Sequence, residues 1–346
     1  MKKIYTTKKY RRYNLTKSRK GFKKRKKVYQ PNYTSYKDAI SNIKDKVEAP
    51  EDFRLIENTE KCLKFFRDIR SKEYLTNIKG EKSVEFTLEK VIEIDYGTIS
   101  ILTAISDDLK YKNINFRGNL PPNEKSREFI IESGFLNHMF DSRGNKISVK
   151  SKSDLIFFEK GSGKLLEKDN KKISEMVKSA ILHLTGESKH CLPVKTLILE
   201  ICGNSIEWGN TSKKQWLFGL KYDENKVIFT VTDVGLGILK TLRKKNFQKI
   251  NDAFTFKSPM EILIGAFQKK YNSSTMEENR NKGLPSVRLN YEIGNIKKLI
   301  VLTNDVILHY DNHLNSKTFK KGTPRYKGTF YQWEMDLDCV KNIYKT

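Results

Sequence analysis

Glu200 and Asn204 lie four residues apart in LILEICGNSIEWGN, so on a helix both side chains leave the same face one turn apart. A carboxylate there can orient a water for attack on a phosphoryl group. An amide oxygen one turn on can complete a magnesium shell, because magnesium takes few protein oxygens and fills the rest with phosphate and water. Glu and Asn at this spacing are also common on solvated helix faces, so the pair carries weight only in company. About thirty residues on, Asp233-Val234-Gly235-Leu236-Gly237-Ile238 leaves an apolar strand. Its carboxylate can accept a hydrogen bond from a ligand, and the alternating glycines let the backbone approach that ligand closely. A third group begins at Ser273-Ser274-Thr275 and continues as Asn279-Arg280-Asn281-Lys282-Gly283-Leu284. This polar loop runs into a helix carrying Val287, Leu289 and Ile293. A helix N-terminus offers backbone amides and partial positive charge to phosphates, and Arg280 and Lys282 add full charges. Finally, Gly328-Thr329 opens a late strand with its hydroxyl toward the ligand face. The segment Gly161-Ser162-Gly163-Lys164 is set aside as a phosphate loop, since the first glycine of GxxxxGK[ST] is missing and its flanks IFFEK and KLLEK read as a hairpin.

The elements that must position these groups follow from periodicity. KKISEMVKSAILHLTGES (171–188) carries Ile173, Met176, Val177, Ala180, Ile181 and Leu184 on one helical stripe, and VKTLILEICGNSIEWGN (194–210) forms a second helix. KQWLFGLKY (214–222) and KVIFTVTDVG (226–235) read as antiparallel strands, KLIVLTN (298–304) and VILHY (306–310) as a hairpin, and TFYQWEMDL (329–337) as a last strand. Helices followed by a mainly antiparallel sheet predict a two-layer α/β sandwich. Upstream, SVEFTLEKVIEIDYG (83–97) reads as two strands and ISILTAISDDLKY (99–111) as a helix. KNINFRG (112–118) reads as a strand and NEKSREFIIESGFLNHM (123–139) as a helix opened by a capping Asn. A small sheet with helices packed on it is expected there. The boundaries are 1–45 for a tail, 46–150 for the first α/β domain and 160–346 for the second.

The tail stands apart in charge. Of a net +26, fourteen Lys or Arg fall between Lys2 and Lys27, and the first carboxylate is Asp38. Such a block repels itself and stays extended unless a polyanion neutralises it. Tyr5, Tyr10, Tyr13, Tyr29, Tyr33, Tyr36 and Phe22 interleave rings with the cations, the composition of a nucleic-acid arm over residues 1–36. A solvating tail, or one that docks on an acidic protein, fits the same composition. An apolar share of 37% with 19 Phe and 16 Tyr supplies material for real cores. No stretch approaches the roughly 18–20 apolar residues of a membrane span, and the basic start lacks the apolar core of a signal peptide. A cytoplasmic protein with no membrane partner is therefore expected. Cys62, Cys191, Cys202 and Cys339 form no CxxC pair, and His190 beside Cys191 is their one His adjacency, so free thiols are expected.

Taken in order, ExxxN on a helix, DxGxG after a strand, a KGL loop and a late GT resemble the four boxes of the GHKL superfamily, the Bergerat-fold ATPases, over about residues 170–340. The resemblance implies ATP and Mg as ligands. Glu200 would be the general base and Asn204 the magnesium ligand. Asp233 would hold the adenine amino group, with Gly235, Gly237 and Ile238 shaping that wall. Lys282, Gly283 and Leu284 would belong to the ATP lid, and Thr329 would back the adenine site. Two departures stand out: the lid's usual Gly-x-Gly is Asn281-Lys282-Gly283, and Trp208 sits where many kinase-type members have His. No phosphoacceptor helix of the histidine-kinase sort precedes the domain. The closer resemblance is to bacterial anti-sigma-factor serine kinases and related stand-alone ATP-binding proteins, which implies a protein partner and allows a homodimer. In that light residues 46–150 resemble a divergent STAS-like domain, with Asp95 at a strand end and Ser100 as the nearby hydroxyl. The function this implies is an ATPase or serine/threonine-kinase-like regulator of signalling or defence. The alternative is a non-hydrolysing, nucleotide-gated module associated with nucleic acid through its tail.

Overall fold

The computed structural model describes residues 46–78, 80–139, 147–148, 156–209, 211, 213–245, 256–269 and 283–345. The basic tail with its aromatic residues, and the lid positions Arg280, Asn281 and Lys282, lie outside the described residues.

The chain is mixed α/β. Its N-terminal part holds short strands β1 (Val47–Glu48), β2 (Asp52–Phe53), β3 (Thr76–Ile78), β4 (Glu81–Thr87), β5 (Glu93–Ile94) and β6 (Ile114–Gly118). Helices α1 (Thr59–Asp68), α2 (Tyr96–Tyr111) and α3 (Glu124–Glu132) pack with them. β4 pairs in parallel with β1 and β6 and antiparallel with β3. Asp95 caps α2 by accepting from the Thr98 N–H at 2.7 Å and ties it to the preceding loop through the Leu55 N–H at 2.9 Å. Each bond supplies a partner to a backbone donor that would otherwise be orphaned. The helix expected over 123–139 divides in two: α3 ends at Glu132 with Ser133 as its cap, and Gly134, in the left-handed region at φ 70°, leads into a short 3₁₀ turn.

The C-terminal part is built on a seven-stranded sheet in the order β12-β11-β10-β13-β9-β8-β7, with every neighbouring pair antiparallel. Its strands are β7 (Ile156–Ser162), β8 (Gln215–Asp223), β9 (Lys226–Asp233), β10 (Lys297–Asn304), β11 (Val306–His309), β12 (Lys317–Thr318) and β13 (Tyr326–Asp336). The helices are α4 (Glu167–Thr185), α5 (Leu192–Trp208), α6 (Ile238–Lys245), α7 (Pro259–Phe267), α8 (Gly283–Glu292) and α9 (Leu337–Ile343). The hairpin expected around Gly161–Lys164 is corrected. IFFEK is β7, but KLLEK leads into α4, because Asp169 accepts the Leu166 N–H at 2.9 Å and starts a helix there.

Strand alternation divides the sheet between two cores. Val227, Phe229 and Val231 of β9, with Trp333 and Met335 of β13, face α4, α5 and α8 in one buried cluster that includes Ile173, Ile181, Leu197, Ile201 and Val287. The opposite face contributes Leu217, Ile300, Leu302 and Phe330 to a second cluster. There they pack with Ile101, Leu102 and Ile105 of α2 and with Phe53, Phe65 and Phe86. The sheet is thus covered on both faces, and the N-terminal α/β part supplies the second cover. No described helix is long and apolar enough to cross a membrane.

Candidate functional site

Alternation along β9 aims Asp233 at the helical face, at the end of the strand. The residue is 6% exposed, and burial pushes its carboxyl up to about 6, against hydrogen bonds that pull the other way. Those bonds come from the Gly235 N–H at 2.8 Å and from the Ser205 hydroxyl at a long 3.4 Å, with Thr329 adding to the same pull. Thr329 lies beside the carboxylate because the β9–β13 register sets it directly opposite Asp233. Ser205 reaches it from α5, one residue after Asn204. Tyr326 donates its phenol O–H to the Asp233 carbonyl at 2.9 Å, holding the backbone as well.

The turn after Asp233 is fixed by close approach. A Cβ on Gly235 would run into the carbonyl of Gly209 at the end of α5, and that carbonyl accepts the Leu236 N–H at 2.8 Å. Gly237 sits at φ 80°, where a side chain would meet Asn304. Asn304 straddles this turn, donating to the Leu236 carbonyl at 2.8 Å and accepting from the Lys240 N–H at 3.2 Å. Thr303 accepts the Ile238 N–H at 2.9 Å. The DxGxG segment is therefore clamped from α5 on one side and from the β10–β11 turn on the other.

Glu200 and Asn204 project from α5 half-buried, and both carry unmet hydrogen-bonding capacity. Glu200 Oε2 and Asn204 Nδ2 are shielded from solvent yet have no hydrogen-bond partner among the described residues. Buried polar atoms are ordinarily paired, so this acceptor oxygen and donor nitrogen, one turn apart, keep hydrogen-bonding capacity that the described residues do not use. Gly283, the first residue of α8, lies against Asn204 so closely that any side chain there would strike the Asn204 amide. The N-terminus of α8 and its partial positive charge thus sit beside the amide. Leu284 and Ile238 pack on the helical-face core.

Of the site residues expected from sequence, Asn204, Ser205's neighbour on α5, is brought to Gly283, and Asp233 to Gly235 and Thr329. Glu200 shares the Asn204 face, Gly237 and Ile238 form the clamped turn, Leu284 follows Gly283, and Lys282 lies outside the described residues. Sequence reading missed Ser205, Gly209, Thr303, Asn304 and Tyr326. Of these, only Asn304 carried a sequence signal, as an Asn between two apolar strands at a turn; its φ is 53°. Ser100, the hydroxyl near Asp95, offers no surface for modification. It is 0% exposed inside α2 and bonded to Thr232 at 2.8 Å and Thr230 at 3.2 Å, so no acceptor surface exists around it.

Among the described residues no group of three His, Cys, Asp or Glu side chains forms a metal cage. All four cysteines are free and buried. Comparison of the chain with protein-family models, with curated proteins and with solved structures finds no match.

Proposed function

We propose that the groups presented by α5, the β9–α6 turn, β13 and the start of α8 together bind ATP with magnesium in the manner of GHKL proteins. One observation carries this reading: three sequence-distant groups converge. A buried Asp233 backed by Thr329, an α5 face with unpaired Glu200 and Asn204 atoms, and a helix N-terminus at Gly283 meet around one end of the sheet.

The donor set fits the ligand. Asp233 offers a carboxylate oxygen to an exocyclic amine such as that of adenine, and Thr329 orients that carboxylate. The N-terminus of α8 offers amides to phosphates. Asn204 offers a single neutral oxygen, which suits magnesium better than a protein cage does, since magnesium draws most of its shell from phosphate and water. When bound, magnesium supplies charge neutralisation on the phosphates. Glu200 would supply the carboxylate that accepts a proton, the role of a general base toward water or toward a protein hydroxyl. The reaction class is accordingly ATP hydrolysis or phosphoryl transfer to a protein.

Titration calorimetry of the full chain with ATP and magnesium tests the reading. Binding that is weakened about tenfold or more in Asp233→Asn, with the fold kept, supports it; no binding by folded wild type overturns it. A second reading rests on the fourteen cations without an acid between Lys2 and Lys27: nucleotide binding gates an interface without turnover, and the tail holds nucleic acid. It expects nucleic-acid affinity to fall steeply with salt and to vanish on deletion of residues 1–30, with Glu200→Ala silent in cells.

A further inference from the structure

Arg70 follows α1 in the N-terminal part, yet both of its terminal nitrogens are spent on the C-terminal sheet. Nη1 donates to the Lys327 carbonyl at 2.8 Å and Nη2 to the Val234 carbonyl at 2.7 Å, contacts 257 and 164 residues away in sequence. The β9–β13 ladder stops at the Asp233–Thr329 pair, and these two carbonyls lie just beyond it. The guanidinium therefore bridges the two strands where backbone pairing ends. Behind it stands Asp108 of α2, 1% exposed, with a carboxylate oxygen 3.9 Å from Arg70 and 2.6 Å from Lys112. The Val234 carbonyl and the Gly235 N–H belong to one peptide group. A cation on the oxygen polarises that group and strengthens the N–H that Gly235 donates to the Asp233 carboxylate. A planar fork with two donors at fixed spacing can hold both carbonyls at once, which a lysine ammonium cannot.

We propose that Arg70 is a positioning residue for the Asp233 pocket, the link by which the N-terminal layer holds the DxGxG turn and the start of β13 in their mutual register. The inference rests on the ATP-binding reading for its functional consequence, and on the geometry alone for its effect on Gly235. It makes nucleotide affinity depend on the seating of the N-terminal part, 46–139, against the sheet.

The test compares full-length wild type, Arg70→Ala, Arg70→Lys and Asp108→Asn, each labelled at glycine nitrogen. Without nucleotide, the Gly235 amide proton resonance in Arg70→Ala should move upfield as its hydrogen bond weakens. With magnesium and ATP, calorimetry should show affinity about tenfold lower, the scale of losing charge-assisted hydrogen bonds. Arg70→Lys should recover part of both changes and Asp108→Asn should show a smaller version of each. An unmoved Gly235 resonance in Arg70→Ala overturns the proposal, and so does unchanged ATP affinity in Arg70→Ala where wild type binds ATP. Should Arg70→Ala fail to fold, Arg70→Lys and Asp108→Asn decide it by the same two readouts. Should folded wild type bind no ATP, the ATP reading fails while the Gly235 resonance still decides the positioning role.

Discussion

The two faces of β9 carry buried polar groups of opposite character. Toward α2, Thr230 and Thr232 are both 0% exposed and are bonded by Ser100; the Tyr96 phenol also hydrogen-bonds Thr230. Toward α5, Asp233 is buried under a desolvation cost, and among the described residues Glu200 Oε2 and Asn204 Nδ2 have no hydrogen-bond partner. A hydrogen-bonded network inside a core contributes specificity to packing and has nothing left to offer a ligand. An incompletely satisfied one sits at a free-energy cost that a ligand can offset. Composition alone does not separate the two faces, because Ser and Thr line both. The difference is whether each donor and acceptor has already found a protein partner.

That contrast can be broken by mutation. On the open face, Glu200→Ala should reduce phosphate release by about 10²–10⁴-fold, the usual worth of a general base, while ATP affinity stays near wild type. Turnover that survives the change would remove Glu200 from the chemistry. Asp233→Ala should weaken ATP by about 10–100-fold, the scale of a hydrogen bond to a charged group, as read by calorimetry.

Acidity sharpens the same comparison. Burial pushes Asp233 up to about 6 from its ordinary 3.8, so the folded chain holds this proton more tightly than the unfolded one. Its contribution to stability is therefore full below about 3.8 and lost as pH rises through about 6. A ligand amine needs the ionised carboxylate, so ATP affinity should run the other way and fall as pH drops through about 6. The fall should be visibly flatter in Asp233→Asn, measured by titration at a series of pH values; parallel profiles would sink the assignment.

The closed face should give the smallest effect, confined to stability. Ser100→Ala leaves threonine hydroxyls short of a partner and should cost about 1–3 kcal/mol by denaturant unfolding, with ATP affinity unchanged. Combining it with Thr232→Val removes both partners and should recover part of that loss. A large change in ATP affinity from either variant would mean the two faces are not distinct in the way proposed.

Much of the C-terminal fold was readable because its strands alternate and its helices keep an apolar stripe. β8, β9, β10 and β13 fall within a few residues of their expected spans, as do α4 and α5. The misreading at KLLEK came from judging a short apolar run by its residues when a cap decided it: Asp169 reaching back to the Leu166 N–H. Thr329 could be assigned to a strand from sequence, but its place opposite Asp233 is a matter of register. Ser205 was hidden in plain view beside Asn204, since a serine mid-helix gives no sign of which strand end it will meet. The N-terminal part was legible as α/β, though not as the cover of the second sheet face, because its apolar residues show that they are buried and not against what.

The sequence by itself determined the site's chemical vocabulary and local geometry: a carboxylate and an amide one helical turn apart, an aspartate leaving a strand into two glycines, and a glycine at a helix start. Periodicity and backbone sterics act over a few residues, and that much is written locally. Only the tertiary structure decided which of these groups meet. It set Gly283 against Asn204, laid Thr329 opposite Asp233, satisfied Ser100 and left Glu200 open, and brought Arg70 across 164 residues to the Val234 carbonyl. Those outcomes depend on strand register and on which core each face joins, and both are set by packing between segments far apart in the chain.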